Sequence, residues 1–509
     1  MRRKTAPLLG GALAVALSLA LTACGSGAHA NGGSSTSAAG SYDRNATISI
    51  GSLYEPQNLD NTAGGGQGVT EALNGNVYEG LFKLTDDGKV QNQLATGYTV
   101  SPDGLTYTFT LRSGVKFHSG KPLTSADVKY SIEKVTSATS QAARKSSFAM
   151  IKSIATPDVH TVRVTLSSKS ISFVYNLSYV WIIDSTAKDL KTTEDGTGPY
   201  KLDKWTHGSV LSLVRYAGYW GTPATNGKVV FTYFKDATAL NNALLTNAVD
   251  VVTSEQSPDA LQQFKNNANY RVNDGHSTTK LLLAFNDRVK PFNNTLVRKA
   301  VTSAIDNKKL LQSIWGDYGT LIGSMVPPTD PWYEDLTKVN PYDVALAKKE
   351  LAQAGYAKGF RFTLDTPNYD PHPTAAAFIK SELAKVGITV DINVITPDTW
   401  YTKVYQNHDF TATLQEHVND RDVVWYGNPD FYWGYDNKQV TNWVNQAEQA
   451  STTTQQTALL KKVNTQIAED AASDWLYLYP QIVVASSKLS GYPLNGLNSQ
   501  FYAYGIKKS

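Results

Sequence analysis

Residues 77–135 constrain this chain more than any other stretch. Within them, 105–111 reads Leu-Thr-Tyr-Thr-Phe-Thr-Leu. Threonine alternates there with large apolar side chains at a period of two, the pattern of a half-buried strand. Ahead of it, Pro102, Asp103 and Gly104 spell a turn. Proline presets φ, aspartate bonds its own backbone and glycine accepts a positive φ. A loop follows from Arg112, and Thr124 or Ser125 then caps a helix predicted over 126–135. A hairpin strand feeding a loop and a helix points to a mixed α and β domain, and carries no chemistry by itself.

The wording of the stretch goes further than its periodicity. Tyr78-Glu79-Gly80-Leu81 is followed by Ser101-Pro102-Asp103-Gly104-Leu105-Thr106-Tyr107-Thr108-Phe109. Then come Leu-Arg-Ser-Gly-Val-Lys-Phe-His-Ser-Gly-Lys-Pro-Leu-Thr over 111–124 and Ala126-Asp127-Val128-Lys129-Tyr130-Ser131. In content and order these motifs resemble the family 5 extracellular solute-binding proteins, the peptide- and oligopeptide-binding subunits of ABC importers. Gly196-Thr197-Gly198-Pro199-Tyr200, the run from Arg215 through Tyr219-Trp220-Gly221, and Leu281 to Asn286 with Lys290-Pro291-Phe292 extend the resemblance over nearly the whole chain.

The first residues read as an address. Arg2, Arg3 and Lys4 form a basic region, and 7–20 is a short apolar run. It is shorter than the roughly 20 residues that span a bilayer. Leu21-Thr22-Ala23-Cys24 then looks like a bacterial lipobox, with 1–23 as the signal and Cys24 as the lipid attachment point. Cys24 is the only cysteine, so it has no disulfide partner within the chain. The Arg2-Arg3 pair leaves the export route, general or twin-arginine, open. Residues 24–45, mostly Gly, Ser, Ala and Asn, bury too little to offset ordering and are expected to be a flexible tether. This predicts a protein moored by lipid at the outer face of the cell membrane.

Without the three signal cations, the 47 basic residues become 44, equal to the 44 acidic ones. Such a balance leaves no nucleic-acid footprint. The 28 Tyr and 10 Trp are abundant enough that some should line a binding surface. The mature chain is too long for one core, so two or three lobes are expected.

No enzyme is legible. There is no Gly-x-Ser-x-Gly elbow and no His-Glu-x-x-His, and the single cysteine leaves no partner for a zinc site. His118 falls inside the strand-loop motif and reads as structural, while His408 and His417 lack ligand spacing, so neither a metal nor a cofactor is expected. A surface hydrolase remains the reading from a different class, to be recognised by turnover of peptide or glycoside substrates.

Elsewhere, 46–53, 161–166 and 229–234 read as strands, and 237–246 as a helix. Trp205 and Trp220 read as core. From 281 onward, strands at 360–364 and 387–394 alternate with helices at 343–351 and 375–386, which predicts βαβ units and a partly parallel sheet. Helices over 441–450 and 455–472 precede a strand at 475–479 that returns the chain to its first lobe.

The resemblance implies an α/β (mixed α+β), two-lobed periplasmic-binding-protein-like fold with a hinge. Its expected borders are 46–75, 196–279 and 480–509 for the first lobe, 76–195 for a subdomain inserted in it, and 280–479 for the second lobe. A monomer with a ligand in the interlobe cleft, handed to an ABC permease on closure, is the implied mechanism. Peptide is the commonest ligand; an oligosaccharide or other small solute stays open, because Trp400, Trp425, Tyr426, Tyr432 and Trp433 could stack on sugar faces.

The glycine-rich loop 59–70 would border the ligand through Gly66, Gln67 and Gly68, unless it is a plain surface loop. Thr279 and Leu282 lie where the chain enters the second lobe, and Trp400 and Trp425 add apolar area. The family holds a peptide's amino terminus with an acidic residue. Counting forward from Asp409-Phe410 reaches Asp420, with Asp422 as the alternative. The remaining possibility is that both merely flank Arg421 in an exposed loop, where ion pairs contribute little.

Overall fold

The computed structural model describes residues 42–64, 66–142 and 144–509. The expected signal, Cys24 and all but the end of the tether lie outside the described residues. Three sheets carry the architecture. A seven-stranded sheet runs in the order Tyr270–Gly275, Gln481–Ser486, Val251–Val252, Thr47–Ser52, Lys228–Tyr233, Val210–Arg215, Tyr200–Thr206. A five-stranded sheet runs Thr389–Ile395, Arg361–Pro367, Ala412–His417, Lys280–Phe285, Ser473–Leu478. A four-stranded antiparallel sheet, Ala95–Val100, Thr106–Leu111, Thr161–Leu166, Ile151–Asp158, forms a separate layer with its own core.

The local rules hold where they were readable. In Thr106–Leu111 the residues Tyr107, Phe109 and Leu111 point into the core and the threonines point away. Gly104 takes φ 74° in the turn before it. The helix Ser125–Thr136 starts at Thr124, whose hydroxyl and backbone N–H both engage the Asp127 carboxylate. Arg361–Pro367 and Thr389–Ile395 run parallel, joined by the helix His372–Ala384 as a βαβ unit. The loop expected over 59–70 is partly corrected. A helix, Gly66–Leu73, begins inside it, because Val69, Ala72 and Leu73 can all face the core at helical spacing.

Lys280–Phe285 is an inner strand of the five-stranded sheet, antiparallel to both neighbours and buried at every position. Its near-continuous apolar run reflects cover on both faces. The chain passes between lobes twice side by side. One crossing joins Gly275 to Lys280, the other Leu478 to Gln481, and the Tyr479 N–H donates to the Thr279 carbonyl at 2.9 Å. Two short, adjacent crossings running in opposite directions are the covalent form of a hinge.

Candidate functional site

The cleft is walled on the second-lobe side by one segment, 416–425, that continues from the strand Ala412–His417. Three cavities follow it. The smallest, about 50 Å³, lies at the hinge between Tyr54, Gln67, Glu71, Thr279, Glu416 and Tyr479. One of about 300 Å³ includes Gly66, Thr70, Gln141, Arg144, Tyr179 and Asn419. The largest, about 380 Å³, lies between Arg144, Asn176, Trp332, Asp420, Arg421 and Trp425. Arg144 and Asn419 border both larger spaces.

The segment owes its shape to an unusual backbone. Arg421 adopts φ 58°, ψ 14°, the left-handed region, which costs an arginine about 1–2 kcal/mol. Its N–H donates to the Asp330 carboxylate at 3.0 Å, and a short 3₁₀ turn, Asp422–Gly427, follows. The kink sends Asp420 and Asp422 in different directions. Asp420 faces the opposite wall. Arg144 Nη2 reaches its Oδ1 at 2.8 Å, Tyr179 Oη donates to the same oxygen at 3.2 Å, and Tyr175 Oη donates to Oδ2. Asp422 turns back into its own lobe, 3.4 Å from Lys280 Nζ and 3.5 Å from His417 Nδ1. Lys280 has no exposed side-chain surface and also donates to the Asn419 carbonyl.

Electrostatics separates these acids. Burial works to raise the Asp422 carboxyl, yet Lys280, His417 and Arg144 outweigh it and hold it below the usual carboxylate range. Asp330 goes the other way. Burial first, then the nearby Asp420 charge, push it up to about 7 against Arg421 and Lys280. At the hinge, burial pushes Glu71 up to about 7 despite hydrogen bonds from Ser52 and Thr253. Glu416 is likewise raised by burial, with Tyr369 donating to it at 3.1 Å.

Further bonds bridge the cleft near the largest cavity. The Ile171 N–H donates to the Glu448 carbonyl at 2.9 Å, Ser170 and Ser172 donate to the Glu448 carboxylate, and Gln456 Nε2 donates to Ser172 Oγ at 3.0 Å.

Among the residues expected from sequence, Gly66, Gln67, Thr279, Asp420, Asp422 and Trp425 border these cavities. Gly68 does not. A Cβ there would meet the Tyr54 carbonyl oxygen at 2.3 Å, so its lack of a side chain serves close packing. Leu282 is wholly buried in the second lobe's core, and Trp400 sits in the same core, donating its Nε1–H to Thr413 Oγ1 at 2.9 Å. Tyr426, Tyr432 and Trp433 are packed there too. Of the five aromatic side chains considered as sugar platforms, only Trp425 borders a cavity, and it stacks on Phe431 at 5.1 Å. Aromatic content does not distinguish a core from a platform, and here the core took most of it.

The alternative of an exposed loop around Arg421 does not hold, since both aspartates are buried and each has its own cation. His118 is structural: its Nδ1 lies 2.6 Å from Glu194 and its Nε2 3.0 Å from the Gly198 carbonyl. Arg144, Tyr175, Tyr179, Asp330 and Trp332 carry no sequence signal. They enter the site from distant segments, and none stands in a motif.

A two-lobed fold with a hinge and a polar, cavity-bearing cleft is the arrangement of a solute-binding protein. Residues 89–439 match the family model of the bacterial extracellular solute-binding proteins, family 5 (middle part), and the chain belongs to that family, the solute-binding components of ABC importers. Among its relatives is the glutathione-binding protein GsiB of Salmonella typhi, 30% identical over 378 residues, 69% of this chain and 70% of the relative. The periplasmic binding protein DppA of Helicobacter pylori, solved with the peptide STSA, superposes with a TM-score of 0.76 at 25% identity, covering 91% of this chain and 98% of that one. The oligopeptide-binding protein AppA of Bacillus subtilis, with a nonapeptide, shares the fold with a TM-score of 0.78 at 20% identity over 92% and 100% of the two chains. Among the described residues, no helix is long and apolar enough to cross a membrane.

Proposed function

We propose that this chain captures a short peptide in its interlobe cleft and delivers it to an ABC permease from the outer face of the cell membrane. The observation that carries the reading is the 416–425 wall, which places a half-buried, kinked, charged segment along cavities of about 380 and 300 Å³. Spaces of that size suit a small ligand held by a few fixed polar groups. The peptide- and glutathione-binding relatives support the same class.

In this reading the lobes divide at 46–75, 196–279 and 480–509 against 280–479, with 76–195 inserted. The protein works as a monomer tethered through a lipid on Cys24. Asp420 supplies the negative charge that an incoming ammonium group would share with, or take from, Arg144. Ligand binding raises the population of the bridged form that the permease recognises.

Melting curves with a panel of di- and tripeptides, and separately with oligosaccharides, test this. A peptide at a hundred times its Kd should add about 2.7 kcal/mol of stability. Stabilisation by oligosaccharides and none by peptides would move the ligand to the sugar class.

A further inference from the structure

A further cavity, of about 160 Å³, lies away from the cleft, beside the edge strand Ser473–Leu478 of the five-stranded sheet. Thr302, Ile305, Asn307, Ile322, Leu336 and Asp474 border it, and none of its bordering residues borders the three cleft cavities. It opens to solvent past Lys308 and Tyr342, which are exposed on its rim.

Asp474 is only 2% exposed. Its Oδ1 accepts from Asn307 Nδ2 at 2.8 Å, while Oδ2 has no hydrogen-bond partner among the described residues. No described Lys, Arg or His pairs with it, and burial pushes its carboxyl up to about 7 against the bond from Asn307. Two more buried oxygens of residues on this cavity, Asn307 Oδ1 and Thr302 Oγ1, also lack a partner. One unpartnered donor, the Trp475 indole N–H, belongs to a ring packed against Tyr426, 5.8 Å between centroids.

A buried carboxylate without a counter-charge is costly, and here the counter-charge must come from outside the chain. Water alone leaves it uncompensated. Among the described residues no group of three or more His, Cys, Asp or Glu is placed to hold a metal. A primary ammonium brings three N–H donors, as many as the free oxygens of Asp474, Asn307 and Thr302. Ile305, Ile322 and Leu336 add apolar wall for a short aliphatic stem. The volume is several times the roughly 30 Å³ that one water occupies in the liquid, which leaves room for such a stem.

We propose that this cavity is a binding site for small primary aliphatic amines, with the ammonium group held by Asp474, Asn307 and Thr302 and the stem against Ile305, Ile322 and Leu336. The site is independent of what the interlobe cleft captures.

n-Butylammonium chloride and n-butyltrimethylammonium chloride carry the same charge, but only the first has N–H donors. In calorimetry at matched ionic strength the wild type should bind n-butylammonium about tenfold more tightly than the quaternary salt, the weight of one charged hydrogen bond. Asp474→Asn should lose that binding and Asp420→Asn, in the cleft, should keep it. Equal affinity for the two salts, no binding of n-butylammonium, or equal binding by the wild type and Asp474→Asn overturns the site. Loss in Asp420→Asn puts the amine in the cleft and overturns it too. Crystals of the wild type grown with n-butylammonium need no variant to fold. The amine beside Asp474 upholds the site, and an amine found only in the cleft, or nowhere, overturns it.

Discussion

Arg144 and Asp420 stand 276 residues apart in the chain and 2.8 Å apart in space, on opposite walls of the cleft. Asp420 is buried and Arg144 half-buried, and the Arg144 guanidinium also lies over Tyr179, 4.0 Å from the ring centroid. It is a lock across the two walls and stands where a charged ligand would be read.

Replacing Asp420 by Asn should therefore weaken binding of a saturating peptide at least tenfold while leaving the fold intact. Truncating one partner of a buried, charge-assisted contact costs about 2–5 kcal/mol, much of it from the charge left behind. In the proposed complex that charge is the ligand's ammonium group. Calorimetric titration of the variant beside the wild type checks it, and equal affinities would remove Asp420 from the binding site.

Asp422 should behave differently, because its partner is internal. Asp422→Asn leaves Lys280 buried without its counter-charge, a loss of about 3–5 kcal/mol in stability. Denaturant midpoints should show this with no ligand present. A midpoint within error of the wild type would mean that the Asn419 carbonyl and His417 suffice for Lys280.

Glu71 and Asp330 set a pH dependence of the less usual sign. Both carboxyls are pushed up to about 7, above their unfolded values, so the folded protein holds protons that the unfolded chain releases. That contribution is present at low pH and is lost as pH rises from about 4.5 through 7. For Glu71 it is on the order of 3 kcal/mol. Relative to the wild type, Glu71→Gln should gain stability between pH 5 and pH 8, measured by denaturant unfolding at both. A difference that does not change with pH would contradict the shift.

Cys24→Ala should release the protein from the membrane fraction without altering ligand affinity, since no residue bordering the cleft cavities lies before Tyr54 in the chain. Fractionation and immunoblotting of both forms decide this. A variant that stays with the membrane like the wild type would end the lipid-anchor proposal.

The sequence exposed those parts of the structure whose causes are local. The Thr106–Leu111 strand follows from its own alternation, and the helix after it from the Thr124 cap with Asp127 three residues on. Counting along a motif points to Asp420 and Asp422 as candidates, and the chain pattern does not reveal their partners. Arg144 and Tyr175 could not be found that way, because tertiary folding alone brings them to Asp420. Trp400 and Leu282 were misjudged for the opposite reason. Their chemistry suits a ligand, but the inner strand Lys280–Phe285 is covered on both faces and draws them into its core. Gly68 looked like room for a ligand and is room for the Tyr54 carbonyl.

The most direct measurement is native mass spectrometry, with fragmentation, of whatever the protein carries when purified gently from its own cells. A small bound molecule whose fragments differ by amino-acid residue masses, and which is lost from Asp420→Asn, is the predicted result. A bound oligosaccharide, or a peptide retained equally by Asp420→Asn, would contradict it.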